Sequence, residues 1–141
     1  MKIDKDLAKE EFEKWLDHKR IKQSKRTAFE SQEEIIIDAI TDGSLIIEED
    51  FSIKYELIEP IKDEDGNVVI KELIFKPRIR KEDLLRHYKG IKPDDADGRL
   101  LGTIAALTEN SPSQIAISRR LMGKLYTEDS SVCEAIALYF L

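Results

Sequence analysis

Ser52-Ile53-Lys54-Tyr55-Glu56-Leu57-Ile58-Glu59-Pro60-Ile61-Lys62-Asp63-Glu64-Asp65-Gly66-Asn67-Val68-Val69-Ile70-Lys71-Glu72-Leu73-Ile74-Phe75-Lys76-Pro77 is the stretch on which the fold turns. Apolar and polar residues alternate on both sides of Lys62 to Asn67, the pattern of two strands joined by an acidic turn. A three-residue loop of Glu64, Asp65 and Gly66, with Gly66 left-handed, sets Tyr55 opposite Phe75, Leu57 opposite Leu73, Glu59 opposite Lys71 and Ile61 opposite Val69. A two-residue Asp65-Gly66 turn would oppose Glu59 to Glu72, a like-charge contact, so the three-residue loop is the expected one. That register gathers Ile53, Tyr55, Leu57, Ile61, Val69, Leu73 and Phe75 on one face, with Lys54, Glu56, Glu72 and Lys76 mostly on the other. An isolated hairpin is marginal in water, so helices from both flanks are expected to cover the apolar face. The predicted class is α+β: a central antiparallel β-hairpin, three-stranded if Leu45-Ile46-Ile47 joins it, covered by N- and C-terminal α-helices.

The 141 residues suit one compact domain overall, divided as a helical arm over 1–50 and a core of hairpin plus C-terminal helices over 51–141. In the arm, Asp4 or Asp6 caps a helix whose Ala8, Phe12, Trp15 and Leu16 recur on one stripe. Trp15 reads first as a packing residue and second as an anchor for a partner. A second helix is signalled by Thr27 with Glu30 and Ser31 with Glu34, two capping-box spacings, and by Gly43 as a left-handed stop. Its Phe29, Ile36, Ile37 and Ile40 are expected to be the first to pack on the hairpin. Beyond Pro77, a short helix runs to Gly90, and Asp94 or Asp95 caps another carrying Leu100, Ile104 and Leu107. Pro112 following Asn110-Ser111 predicts a helix over 113–121, and Thr127 is expected to cap the last, where Val132, Ile136, Tyr139 and Phe140 form a stripe ending at Leu141.

No residue pattern announces chemistry. His18 and His87 lack metal-ligand spacing, the glycines do not form a phosphate loop, and Asp94, Asp95 and Asp97 fit helix capping better than a calcium loop. The serines lack a nucleophile-elbow context, and the single cysteine, Cys133, falls on the core side of its helix. The chain is therefore expected to be a non-enzyme, with no catalytic, cofactor-binding or metal-binding residues. It carries neither a signal-peptide pattern nor an apolar run near the length of a membrane span, and is expected to be soluble and cytoplasmic. Net charge is −6, yet Lys19 to Arg26 holds five basic residues and no acid, and Lys76 to Lys92 is again basic-rich. Those stretches, including Arg78, Arg80, Lys81 and Arg86, support the alternative of a nucleic-acid-binding accessory protein. The acidic balance and the absence of interleaved aromatics weigh against it.

From Tyr55 onward the order of features resembles the tail assembly chaperone family of contractile-tailed bacteriophages, which includes P2-like E proteins and their Mu-like counterparts. The resemblance rests on Leu57-Ile58-Glu59-Pro60 leading to the Gly66 turn, on Glu72-Leu73-Ile74-Phe75-Lys76-Pro77-Arg78, and on Asp83 in a short helix. It continues through Leu101 to Thr108, Leu125 to Asp129 and the closing Phe140-Leu141. What it implies is a non-enzymatic factor of the host bacterial cytoplasm, absent from the mature virion, that binds the tape-measure protein and promotes tail-tube assembly. The tail tube protein is a further partner in that picture, with self-association as another mode, and no membrane is involved. Phe12, Trp15 and Leu16 on the arm and Tyr139, Phe140 and Leu141 at the other end are the candidate partner-binding residues.

Overall fold

A computed structural model describes residues 2–141. In chain order the elements are α1 (Lys5–His18), α2 (Gln23–Ala28), α3 (Glu30–Asp42), β1 (Leu45–Ile47), β2 (Ile53–Lys62), β3 (Val68–Phe75), α4 (Lys81–His87), α5 (Ala96–Leu107), α6 (Arg119–Met122) and α7 (Thr127–Leu138). The strands form one antiparallel sheet in the order β1-β2-β3, with helices contributed from both flanks, so the architecture is α+β.

Near its tip the hairpin has the expected turn. Gly66 is left-handed at φ +83°, Lys62 faces Val68, and the Asp63 N–H donates to the Asn67 carbonyl at 2.9 Å. The Asp63 carboxylate accepts from the N–H groups of Asp65 and Asn67, which stiffens the loop. Further down, the expected pairs of Tyr55 with Phe75 and Leu57 with Leu73 do not form: Tyr55 faces Leu73 and Ile53 faces Phe75. From Glu56 to Ile61 β2 advances five residues while β3, from Ile70 to Glu72, advances two. The cause is local. Pro60 has no N–H for the ladder, and the Ile58 and Glu59 N–H groups turn to the carboxylate of Asp129, at 2.9 and 3.0 Å. The net slip is an even number of residues, so Ile53, Tyr55, Leu57, Ile61, Val69, Leu73 and Phe75 are all buried as expected, although at the irregularity Ile61 faces Ile70 and not Val69, and Ile70 is buried as well. Glu56 now opposes Glu72, a like-charge pair relieved by Lys54, whose Nζ lies 3.4 Å from Glu72.

The helix α3 stands between α1 and α7 and touches the sheet through β1, whereas α7 reaches β2 and α5 reaches β3. β1, the short strand that follows α3, pairs beside β2, and Ile36, Ile37 and Ile40 of α3 share one apolar cluster with Ile53, Tyr55, Leu73 and Phe75 of the hairpin. Ala8, Phe12, Trp15 and Leu16 of the arm share one apolar cluster with Ile53, Leu73, Phe75, Ile104 and Ile136 of the core. Phe12 stacks on Trp15 with centroids 5.7 Å apart, and Tyr139 meets both edge-on.

Three expected caps or helices differ. Thr27 lies inside α2, its hydroxyl donating to the Gln23 carbonyl, and α2 passes to α3 through Phe29 with helical hydrogen bonds on both sides, so few orphan N–H groups await a cap. Thr127 is the first residue of α7, with Tyr126 in the cap position. Only Arg119–Met122 of the helix expected over 113–121 forms, capped by the Ser118 hydroxyl. The preceding segment is drawn to the outer edge of β3, where Ser111 Oγ accepts from the Ile74 N–H at 2.6 Å and the Gln114 N–H donates to Val69. Among the described residues no helix is long and apolar enough to cross a membrane.

Candidate functional site

An apolar groove of about 650 Å³ lies between α4, the first turns of α5 and the Phe140-Leu141 pair that follows α7. Its position follows from a close helix contact. A Cβ on Gly102 would sit 3.0 Å from the His87 carbonyl oxygen and 3.0 Å from Tyr88 Cδ1, so glycine lets the end of α4 rest on α5. Thr103 Oγ1 donates to the Arg99 carbonyl at 2.8 Å, and the Tyr88 hydroxyl meets that same Oγ1 at 2.6 Å. The Arg99 guanidinium lies over the Tyr88 ring, 4.9 Å from its centroid. Asp95 caps α5 by accepting from the Gly98 N–H, and Gly90 at φ +85° makes the turn between the two helices.

Glu109 ties α4 down beside the groove. Its carboxylate receives Lys76 Nζ at 3.2 Å, Arg86 NH1 at 3.0 Å and His87 Nε2. Burial opposes the charge on Glu109, but the hydrogen bonds from His87, Lys76 and Arg86 outweigh it and hold the carboxyl down at about 2. On the opposite wall Phe140 is backed by Trp15, at a centroid distance of 5.9 Å, and by the Lys19 ammonium, 3.6 Å from the Phe140 centroid. Lys19 also donates to the Pro77 carbonyl at 3.0 Å. Burial, with Arg78 and Lys25 nearby, pulls its amine down to about 8.

The floor and walls of the groove include Ile79, Leu84, Leu85, Tyr88, Leu100, Phe140 and Leu141, with Leu85 50% and Leu141 55% exposed. Of the six candidate partner-binding residues, only Phe140 and Leu141 reach it. Phe12, Trp15, Leu16 and Tyr139 are interior, each at most 2% exposed, and Trp15 Nε1 donates to the Phe51 carbonyl at 3.1 Å. The arm's stripe is therefore a packing face in this fold, because α3 and the end of α7 already cover it. Leu84, Leu85 and Tyr88 escaped notice because the helix bearing them is only seven residues long and mostly charged. Their i, i+1, i+4 spacing was the signal that could have found them.

The basic stretches are largely engaged within the fold. Arg26 pairs with Asp17 at 2.8 Å, Lys25 reaches the Tyr139 carbonyl, and Lys76, Arg86 and His87 converge on Glu109. His18 lies flat on Phe51, with centroids 3.9 Å apart. Cys133 is fully buried, which pushes its thiol well above the ordinary range. Comparisons with protein-family models, with curated proteins and with solved structures return no match for this chain.

Proposed function

We propose that this protein is a non-enzymatic tail assembly chaperone of a contractile-tailed bacteriophage, which binds the tape-measure protein in the host bacterial cytoplasm and leaves before the virion matures. The observation that carries the reading is the α4–α5 groove, where Leu85 and Leu141 stand half out of water on a chain that is 37% charged. A long helical client exposes apolar stripes that otherwise self-associate, and a groove walled by two helices is the shape that takes such a stripe. Burying each half-exposed leucine contributes about 1 kcal/mol.

The sequence segments that carry the family resemblance also bond to one another. Asp129, at the end of Leu125 to Asp129, holds Ile58 and Glu59 of the Leu57 to Pro60 segment, and the Lys76 N–H donates to the Leu107 carbonyl at 3.0 Å, joining the Glu72 to Arg78 segment to Leu101 to Thr108. Motifs that form one mechanical unit are a reason to read them together.

Co-expression with the tape-measure protein of the same phage should raise the soluble yield of that protein and recover the two as a complex. Leu85→Asp should lose the complex without lowering the melting temperature, since the side chain is half exposed. If the wild-type protein neither solubilises nor co-purifies with the tape-measure protein, yet shifts a nucleic acid probe at moderate salt, the reading gives way to nucleic-acid binding.

A further inference from the structure

We infer that the groove selects its helix by charge, taking an amphipathic helix whose apolar stripe is flanked by acidic residues. The inference rests on the groove being a client site, and not on which protein the client is. The chain as a whole carries 23 basic and 29 acidic residues, a net −6. Lys76 to Lys92, which supplies α4 and the loops on both sides of it, carries seven lysines and arginines against Glu82 and Asp83, a net +5. Of these cations only Lys81 lines the groove, since Lys76 and Arg86 turn to Glu109, so the positive charge that a ligand meets there comes from Lys81 together with Arg99 of α5.

On the groove rim itself Lys81 and Arg99 face Asp94 alone. All three are exposed, and among the described residues neither cation has a carboxylate within 4.0 Å. Arg99 is also held in place. Its guanidinium rests on the Tyr88 ring, and Tyr88 is anchored through its hydroxyl to Thr103, so the fork is set at the groove edge before any ligand arrives. A guanidinium so placed binds carboxylates in bidentate fashion, while a basic helix would meet like charge. The rim cations lie beside an apolar floor, where Leu85 and Leu141 are the side chains that a helix stripe would cover. A phosphate backbone, by contrast, has nothing to set against that floor.

The test uses the full-length protein and three fluorescently labelled synthetic helical peptides that share one leucine stripe and differ only in flanking residues, which are all glutamate, all glutamine or all lysine. Fluorescence anisotropy should give the glutamate peptide an affinity at least tenfold above the glutamine peptide, with the lysine peptide weakest, and added salt should narrow the gap. The double variant Lys81→Glu, Arg99→Glu should reverse the order, with its melting temperature showing that it folds. Leu85→Asp should weaken all three peptides alike. Equal binding of the three peptides, an order unchanged in the double variant, or no binding at all overturns the inference. So does a wild-type dimer that Leu85→Asp converts to monomer, because a second copy would then fill the groove. Recovery of the tape-measure protein together with equal peptide affinities would sink charge selection and leave the chaperone reading standing. The expected peptide order without tape-measure recovery would do the reverse.

Discussion

The hydroxyl of Tyr55 donates to Oδ1 of Asp129 at 2.7 Å, joining residues 74 positions apart. Asp129 is fully buried and also accepts from the N–H groups of Ile58 and Glu59, so one carboxylate from the first turn of α7 satisfies the part of β2 that has left the ladder. Burial and that hydrogen bond push the Tyr55 hydroxyl well above its ordinary range, so it remains a donor at any working pH.

Asp129→Asn should destabilise the protein by about 1–3 kcal/mol, because an amide cannot accept on both sides and its NH2 would face a backbone N–H that now has no acceptor. Tyr55→Phe removes one donor and leaves two, and should cost less. Urea unfolding of both variants checks the order. If Asn is tolerated as well as Phe, the carboxylate is not what holds the irregular part of β2.

Glu109 sets a pH dependence. Its folded value of about 2 lies below the ordinary 4.5, so the ionised carboxylate stabilises the fold above about pH 4.5, and that contribution fades as pH falls from there towards 2. Glu109→Gln should therefore be less stable than the wild type at pH 6, with the gap closing at acid pH. A gap that is constant from pH 6 to pH 2.5 would mean that the Lys76, Arg86 and His87 contacts add nothing to the fold.

The slip in the hairpin can be read by crosslinking. Glu56 donates its N–H to the Ser44 carbonyl at 2.8 Å, away from β3, so Glu56 and Glu72 are a non-hydrogen-bonded pair whose side chains approach closely. Cysteines at these two positions in a Cys133→Ser background should oxidise to a disulfide readily. Cysteines at Glu56 and Ile74, the pair that the turn register alone dictates, should do so poorly. The opposite preference would mean that the register runs unbroken from the Gly66 turn.

Arg20 ends α1 in the left-handed conformation at φ +57°, with its N–H donating to Asp17 and that of Ile21 to Leu16, a Schellman closure built without glycine. Arg20→Gly should stabilise the protein by a few tenths to about 1 kcal/mol, relief of the strained backbone outweighing the added freedom of the unfolded chain. Arg20→Val should destabilise it, since a branched Cβ tolerates this conformation worst. Melting temperatures of the two variants should move in opposite directions.

Local patterns were enough for much of this molecule. Period-two alternation marked which side of β2 and β3 is buried, and that survived the slip because the net displacement is even. The 3.6-residue spacing of Ala8, Phe12, Trp15 and Leu16 identified a buried stripe, and Gly43 and Gly66 marked a helix stop and a turn through their positive φ. What covers each stripe depends on contacts between distant segments, and spacing carries no information about those. Nothing near Asp129 reveals that it will meet Ile58 and Glu59, nor does anything near Ser113 reveal that the edge of β3 will draw that segment out of a helix. The same holds for the groove. The stripe of Trp15 could either pack or hold a partner until α3 and α7 closed over it, while Leu85 became a surface feature only when Gly102 brought α4 onto α5 and left one side of the pair uncovered.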